Sequence, residues 1–267
     1  MKPSSLAVLA VAIAVFLTGA YITSTRIAAA QPDPGGIHSA GDFFHGVLGV
    51  VLLAILLGFG IWITVAPAPR SLRILAWCGF LTTSLASTLA WKSSPMSHGS
   101  AALHAILAHI SLSIVVLICA GAWVANTETA AASRPFLRPL AIATPLIVLL
   151  QVALGALYRH EVLGIMPHMG LAMVVAFAAL IASTTVLQHN KRPLSLKRAA
   201  AALMTFVLIQ VALGIAAFIM LVLNAAGTIY FVATTAAHAT FGTATLAASL
   251  VLALEVWQKV PASNKAA

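Results

Sequence analysis

Four of the nine histidines in this 267-residue chain share one setting. His45, His104, His168 and His238 each fall early in an apolar stretch, on alternate stretches along the chain. A neutral imidazole offers a nitrogen lone pair to a metal, and two imidazoles from facing helices can serve as the axial ligands of a haem iron. A flat macrocycle also needs little bulk one turn away from its ligand. Gly49, Ala108, Ala172 and Gly242 follow the four histidines at a spacing of four, on the same helical face. Two bis-histidine iron sites are therefore one use of the pattern. Helix-bridging hydrogen bonds and a proton relay in a transporter are the others. His109 lies five residues after His104, about 140° around an ideal helix, and so faces elsewhere. His38, His98 and His160 fall in loops on one side and His189 in a loop on the other, where solvated imidazole is the simplest account.

Apolar helices have to position these residues. The chain is 61% hydrophobic and only 7% charged, with a mean hydropathy of +1.06. A water-soluble domain carries roughly 25% charged residues, so the solvent here is lipid. Apolar runs at 5–24, 43–66, 71–91, 101–125, 137–158, 162–187, 199–223 and 229–257 are each long enough to cross a bilayer, and in hydrocarbon they must be helical. The expected fold is thus an all-α integral membrane protein of eight transmembrane helices. The break near Asn224–Gly227 carries no charge and is the weakest boundary. The first run, with Lys2 before it and Ala28-Ala29-Ala30 after it, also has the features of a secretory signal peptide, although its length favours a retained helix.

The net charge of +9 is confined to short clusters between the apolar runs, a pattern that fits membrane orientation and not nucleic-acid binding. With the amino terminus inside, Lys2, Arg70, Arg73, Arg134, Arg138, Lys191, Arg192, Lys197, Arg198, Lys259 and Lys265 are internal, and only Arg26, Lys92 and Arg159 are external. The inner (cytoplasmic) membrane of a cell, with both termini cytoplasmic, is the expected location, and lipid the surrounding partner. Cys78 and Cys119 both fall inside apolar runs and offer no loop disulfide. Gln151-Val152-Ala153-Leu154-Gly155 recurs verbatim as Gln210-Val211-Ala212-Leu213-Gly214, which points to an internal repeat.

The segments Gln151–His160, Pro167-His168-Met169-Gly170, Gln210–Gly214, Ala237–Gly242 and Leu103–Ala108 together resemble the haem A synthase family of cytochrome oxidase assembly proteins. The resemblance implies two pseudo-symmetric four-helix bundles, residues 1–127 and 128–267. It implies a substrate haem O, converted to haem A, between His45 and His104, and a retained haem b between His168 and His238. It further implies oxidation of the C8 methyl of haem O to a formyl group, with haem O synthase or oxidase assembly factors as partners. Arg159 is the leading candidate for neutralising haem propionates, with Arg26 and Lys92 behind it.

The first half departs from the family pattern. Asp42 stands where a glutamate is usual, three residues before the second-span histidine, and is the candidate catalytic carboxylate, for proton transfer or charge stabilisation. A carboxylate there could equally serve the helix dipole. Gly46 replaces an arginine, Thr23 stands where another is expected, and the first outer loop has no cysteine pair. A non-catalytic haem carrier and a bis-haem, quinol-linked electron-transfer protein are the alternative functions.

Overall fold

A backbone in hydrocarbon must satisfy its own N–H and C=O groups, and the apolar runs do so as helices. In the computed structural model these are α1 (Pro3–Ala28), α2 (Ala40–Val65), α3 (Arg70–Lys92), α4 (His98–Gly121), α5 (Leu137–Arg159), α6 (Ile165–Leu187), α7 (Leu194–Val222) and α8 (Ile229–Lys259). The structure describes residues 3–28, 40–92, 97–121, 136–189 and 192–260, and among them there is no strand. All eight helices are long and apolar enough to cross a membrane. His38, the Pro32–Gly36 break and the division at 127/128 lie outside the described residues.

Two helix starts differ from expectation. α4 begins at His98, so this histidine opens a helix and is not a loop residue. α7 begins at Leu194, five residues early, and takes Lys197 and Arg198 into its first turns. Charged residues interrupt an apolar run without interrupting a helix when that part of the helix stands at the membrane surface. The uncharged break between α7 and α8 is present. Asn224 ends α7 with a φ of 56°, a left-handed conformation that asparagine tolerates, and Thr228 Oγ1 accepts from Phe231 N at 3.2 Å to cap α8.

The helices close two circuits. α1 packs on α2, α2 on α3, α3 on α4, and α4 returns to α1. α5, α6, α7 and α8 repeat this order. α8 also touches α1 and α4, and α4 touches α5, forming a seam between the circuits. Many large apolar side chains, Leu146, Phe177 and Trp91 among them, remain exposed, as lipid contact requires.

Packing is unequal along the second circuit. Its main core consists of Leu137, Ala141, Ala179, Ala182, Val186, Leu196, Leu203, Leu252 and Val256 with their neighbours, all toward one end of the bundle. In α7 the buried residues stop at Val207, and in α6 they begin only at Val175. The same end is tied by a buried ion pair, Lys259 Nζ to Glu255 Oε2 at 2.9 Å, with Ser195 Oγ donating to the same carboxylate oxygen at 3.0 Å. The opposite ends of these helices carry the histidines. Leu252 is 1% exposed within the main core, so Leu252→Ala should cost about 2–5 kcal/mol. Unfolding of the detergent-solubilised protein measures this.

Candidate functional site

The four histidines engage the helix before them in the same way. Nδ1 of His45 bonds Val15 O at 3.0 Å, that of His104 bonds Ala86 O at 2.9 Å, that of His168 bonds Gln151 O at 3.2 Å, and that of His238 bonds Gln210 O at 3.2 Å. A carbonyl oxygen can only accept, so each Nδ1 carries the proton. In a neutral ring that leaves the lone pair on Nε2. The even-numbered helices are therefore each clasped to their predecessor, α2 to α1, α4 to α3, α6 to α5 and α8 to α7, through a histidine of fixed tautomer. His109 and His189 do otherwise, bonding carbonyls of Ala105 and Thr185 within their own turn of chain.

A helical carbonyl already holds the N–H four residues on, and the Cβ of that fourth residue leans back over it. An imidazole reaches the second lone pair only if that Cβ is small or missing. Gly19, Gly155 and Gly214 stand four residues after Val15, Gln151 and Gln210. A methyl group at these glycines would meet Cε1 of His45 at 2.8 Å, of His168 at 2.9 Å and of His238 at 3.0 Å. Ala90 holds the equivalent place after Ala86.

The clasped histidines then meet in pairs. Ring centroids of His45 and His104 are 6.2 Å apart with the planes at 72°, and those of His168 and His238 are 6.2 Å apart at 82°. Metal–nitrogen bonds of about 2 Å on each side place two in-line axial imidazoles roughly 6 Å apart, centre to centre. Each pair thus has the centre-to-centre separation that two axial ligands on one metal would have. Groups of three or more His, Cys, Asp or Glu that could hold a metal ion do not occur among the described residues.

The two pairs have different surroundings. In the second half Gln151 Nε2 donates to His168 O at 2.9 Å and lies 3.1 Å from His168 Nδ1 and 3.4 Å from its Nε2, and Gln210 Nε2 donates to His238 Nε2 at 3.2 Å. Both glutamine Oε1 atoms are buried without a partner. A ligand at His238 Nε2 would take the place of the Gln210 amide, whereas the Gln151 amide is also held by the His168 carbonyl. In the first half the neighbour of His45 is Thr18, whose Oγ1 lies 3.1 Å from Nδ1. One turn before His45, Asp42 pairs with Arg26 at 2.7 Å, its side chain 10% exposed.

The small residues after the histidines separate. A Cβ at Gly49 would meet nothing within 4 Å, whereas one at Gly242 would meet Gln210 Nε2 at 3.1 Å. Ala108 packs against the core formed by α1, α2 and α4, and Ala172 is half-buried. Arg159 reaches across to α1, where its Nη2 donates to Ala20 O at 2.9 Å and to Ser24 Oγ. Val15, Thr18 and Ala86 bear no sequence pattern that marks them, while Gly19 stands in the segment Gly19-Ala20-Tyr21 that resembles the first-helix motif of the family. For the second half the repeated Gln…Gly pentapeptide was the available signal, and its purpose is to seat the histidine of the next helix.

No protein-family model matches the sequence, and comparison with curated proteins yields no significant match.

The glycine seats make a direct test. Gly155→Ala should force the His168 ring away from Gln151 and destabilise the protein by about 1–3 kcal/mol, whereas Gly46→Ala, which would meet nothing within 4 Å, should leave stability unchanged or slightly raised. Thermal unfolding of the two variants side by side gives the comparison.

Proposed function

We propose that each histidine pair holds one haem, and that the protein is a haem A synthase-like membrane oxidoreductase. One observation carries the first step. All four Nδ1 atoms lie against backbone carbonyls, which leaves the lone pair of each neutral ring on Nε2, where that of His238 accepts from Gln210 Nε2, and the rings pair at 6.2 Å. His168 and His238 would hold a retained haem b, and His45 and His104 a substrate haem O. The resemblance of Gln151–His160, Pro167–Gly170 and Ala237–Gly242 to that family supports the second step. Conversion of the C8 methyl to a formyl group takes one oxygen atom from water and releases four protons and four electrons, and bound iron would relay those electrons to an external acceptor. The residues of the chain orient the rings, exclude water through the apolar bundle, and fix where protons reside. The cluster of basic residues at the end of the bundle opposite the histidines supports an inner-membrane location with both termini cytoplasmic.

A second reading is favoured by the Arg26–Asp42 pair. The carboxylate is held by a guanidinium at 2.7 Å and ties α2 to α1, a structural use that suits a haem carrier or a bis-haem, quinol-linked electron-transfer protein.

Co-expression with a haem O supply, followed by mass analysis of the extracted haems, separates these functions. Appearance of the formyl product is the expected result, and a pool left as haem O or haem B overturns the synthase. If the product does form, its persistence in Asp42→Ala would remove the carboxylate from the mechanism. His168→Ala and His45→Ala should each lose one haem and keep the other, read as a drop of about half in pigment per protein. A colourless wild-type protein sinks both haem functions and leaves the histidines as helix clasps.

A further inference from the structure

α5 carries Gln151, Gly155 and Arg159 at intervals of four, so the face that seats His168 presents a guanidinium one turn further on. That guanidinium leaves its own half of the protein. Through Nη2 it donates to Ala20 O and Ser24 Oγ of α1, the helix that seats His45. Ala20 directly follows Gly19, against which the His45 ring packs, and Ser24 is fully buried. Arg159 Nε is buried as well, with no hydrogen-bond partner.

Among the described residues no carboxylate forms an ion pair with this side chain. Of the described carboxylates, Asp42 stands against Arg26, Glu161 beside His98 and Glu255 against Lys259. Arg159 is within electrostatic reach of His109, whose ring packs edge-on against Phe16 of α1, and of His238. It therefore stands in the seam between the circuits, joined by backbone to one histidine seat and by hydrogen bonds to the helix of another.

We propose that Arg159 is a positioning residue shared by both histidine pairs. It braces α5 against α1, so that the seats of His168 and His45 keep one relative placement, and its positive charge acts on the His168–His238 pair. The electrostatic half rests on the haem function proposed above, and the brace does not. A positive charge in a dry seam favours the more electron-rich state of a nearby iron. Lysine at this position retains the charge but loses the planar fork that meets two acceptors on α1.

The test uses the purified full-length protein with Arg159→Gln and Arg159→Lys. Hydrogen exchange of residues 15–24 on α1 should rise in both variants, although the change is on α5. Unchanged exchange overturns the brace whether or not haem is bound. In the haem-loaded protein, Arg159→Gln should lower the midpoint potential of the His168–His238 haem and alter both low-spin resonance signals. Arg159→Lys should restore the potential while both signals remain altered. Signal changes confined to the His168–His238 haem overturn the sharing. A wild-type protein without haem removes the haem function, and the exchange measurement then decides the brace alone.

Discussion

The bond from a histidine Nδ1 to a carbonyl on the preceding helix is the interaction on which the rest of the structure depends. In lipid the hydrophobic effect does not press helices together, so polar bonds and close packing must do so. Four such bonds, at Val15, Ala86, Gln151 and Gln210, join the eight helices as four consecutive hairpins. Each also sets the register of its hairpin, because only a carbonyl with a glycine or alanine four residues on can be approached so closely. One contact thereby decides helix pairing, helix separation and the protonation of the ring.

The same contact explains why the two halves share an architecture and differ in chemistry. Both histidine pairs reach the same 6.2 Å separation because both are seated in the same way. The side chain of the carbonyl-bearing residue is free to vary, since only its backbone is used. In the second half that residue is glutamine twice, and its amide lies against the ring nitrogens. In the first half it is valine or alanine, and the polar neighbours come instead from Thr18 and the Arg26–Asp42 pair. The second pair is thus enclosed by neutral donors and the first is bordered by an ion pair. This is a difference of electrostatics on a shared frame.

Most of the fold was legible because apolar runs separated by charges and prolines are a strong signal at this length. The differences lie where polar residues sit inside a helix end, at Lys197 and Arg198 in α7 and at His98–Ser100 in α4. The histidines were legible by type and by position. Their seats were not, for a physical reason: the small residues one turn after each histidine lie on its own helix, and the close approach occurs on the facing one. Gly49 and Gly242 satisfied the spacing, yet the first faces open space and the second a glutamine amide. The repeated pentapeptide marked the right residues without showing that its first position gives a carbonyl and its last gives room. The partner of Asp42 was likewise hidden, because Arg26 stands on a different helix and sequence pattern alone does not bring the two together.

The packed core and the histidine pair occupy different levels of the second circuit. The end with Leu196, Leu203, Leu252 and Val256 is packed shut and pinned by the buried Lys259–Glu255 pair. The level of His168 and His238 has few fully buried side chains, with none in α7 beyond Val207 and none in α6 before Val175. A flat ligand entering there would meet rings already oriented and side chains not yet committed to a core. The closed end supplies the rigidity that keeps two imidazoles at a fixed distance, and the looser level leaves the interior adaptable. Without the first, the glycine seats would lose register, and without the second, the paired rings would have nothing to receive.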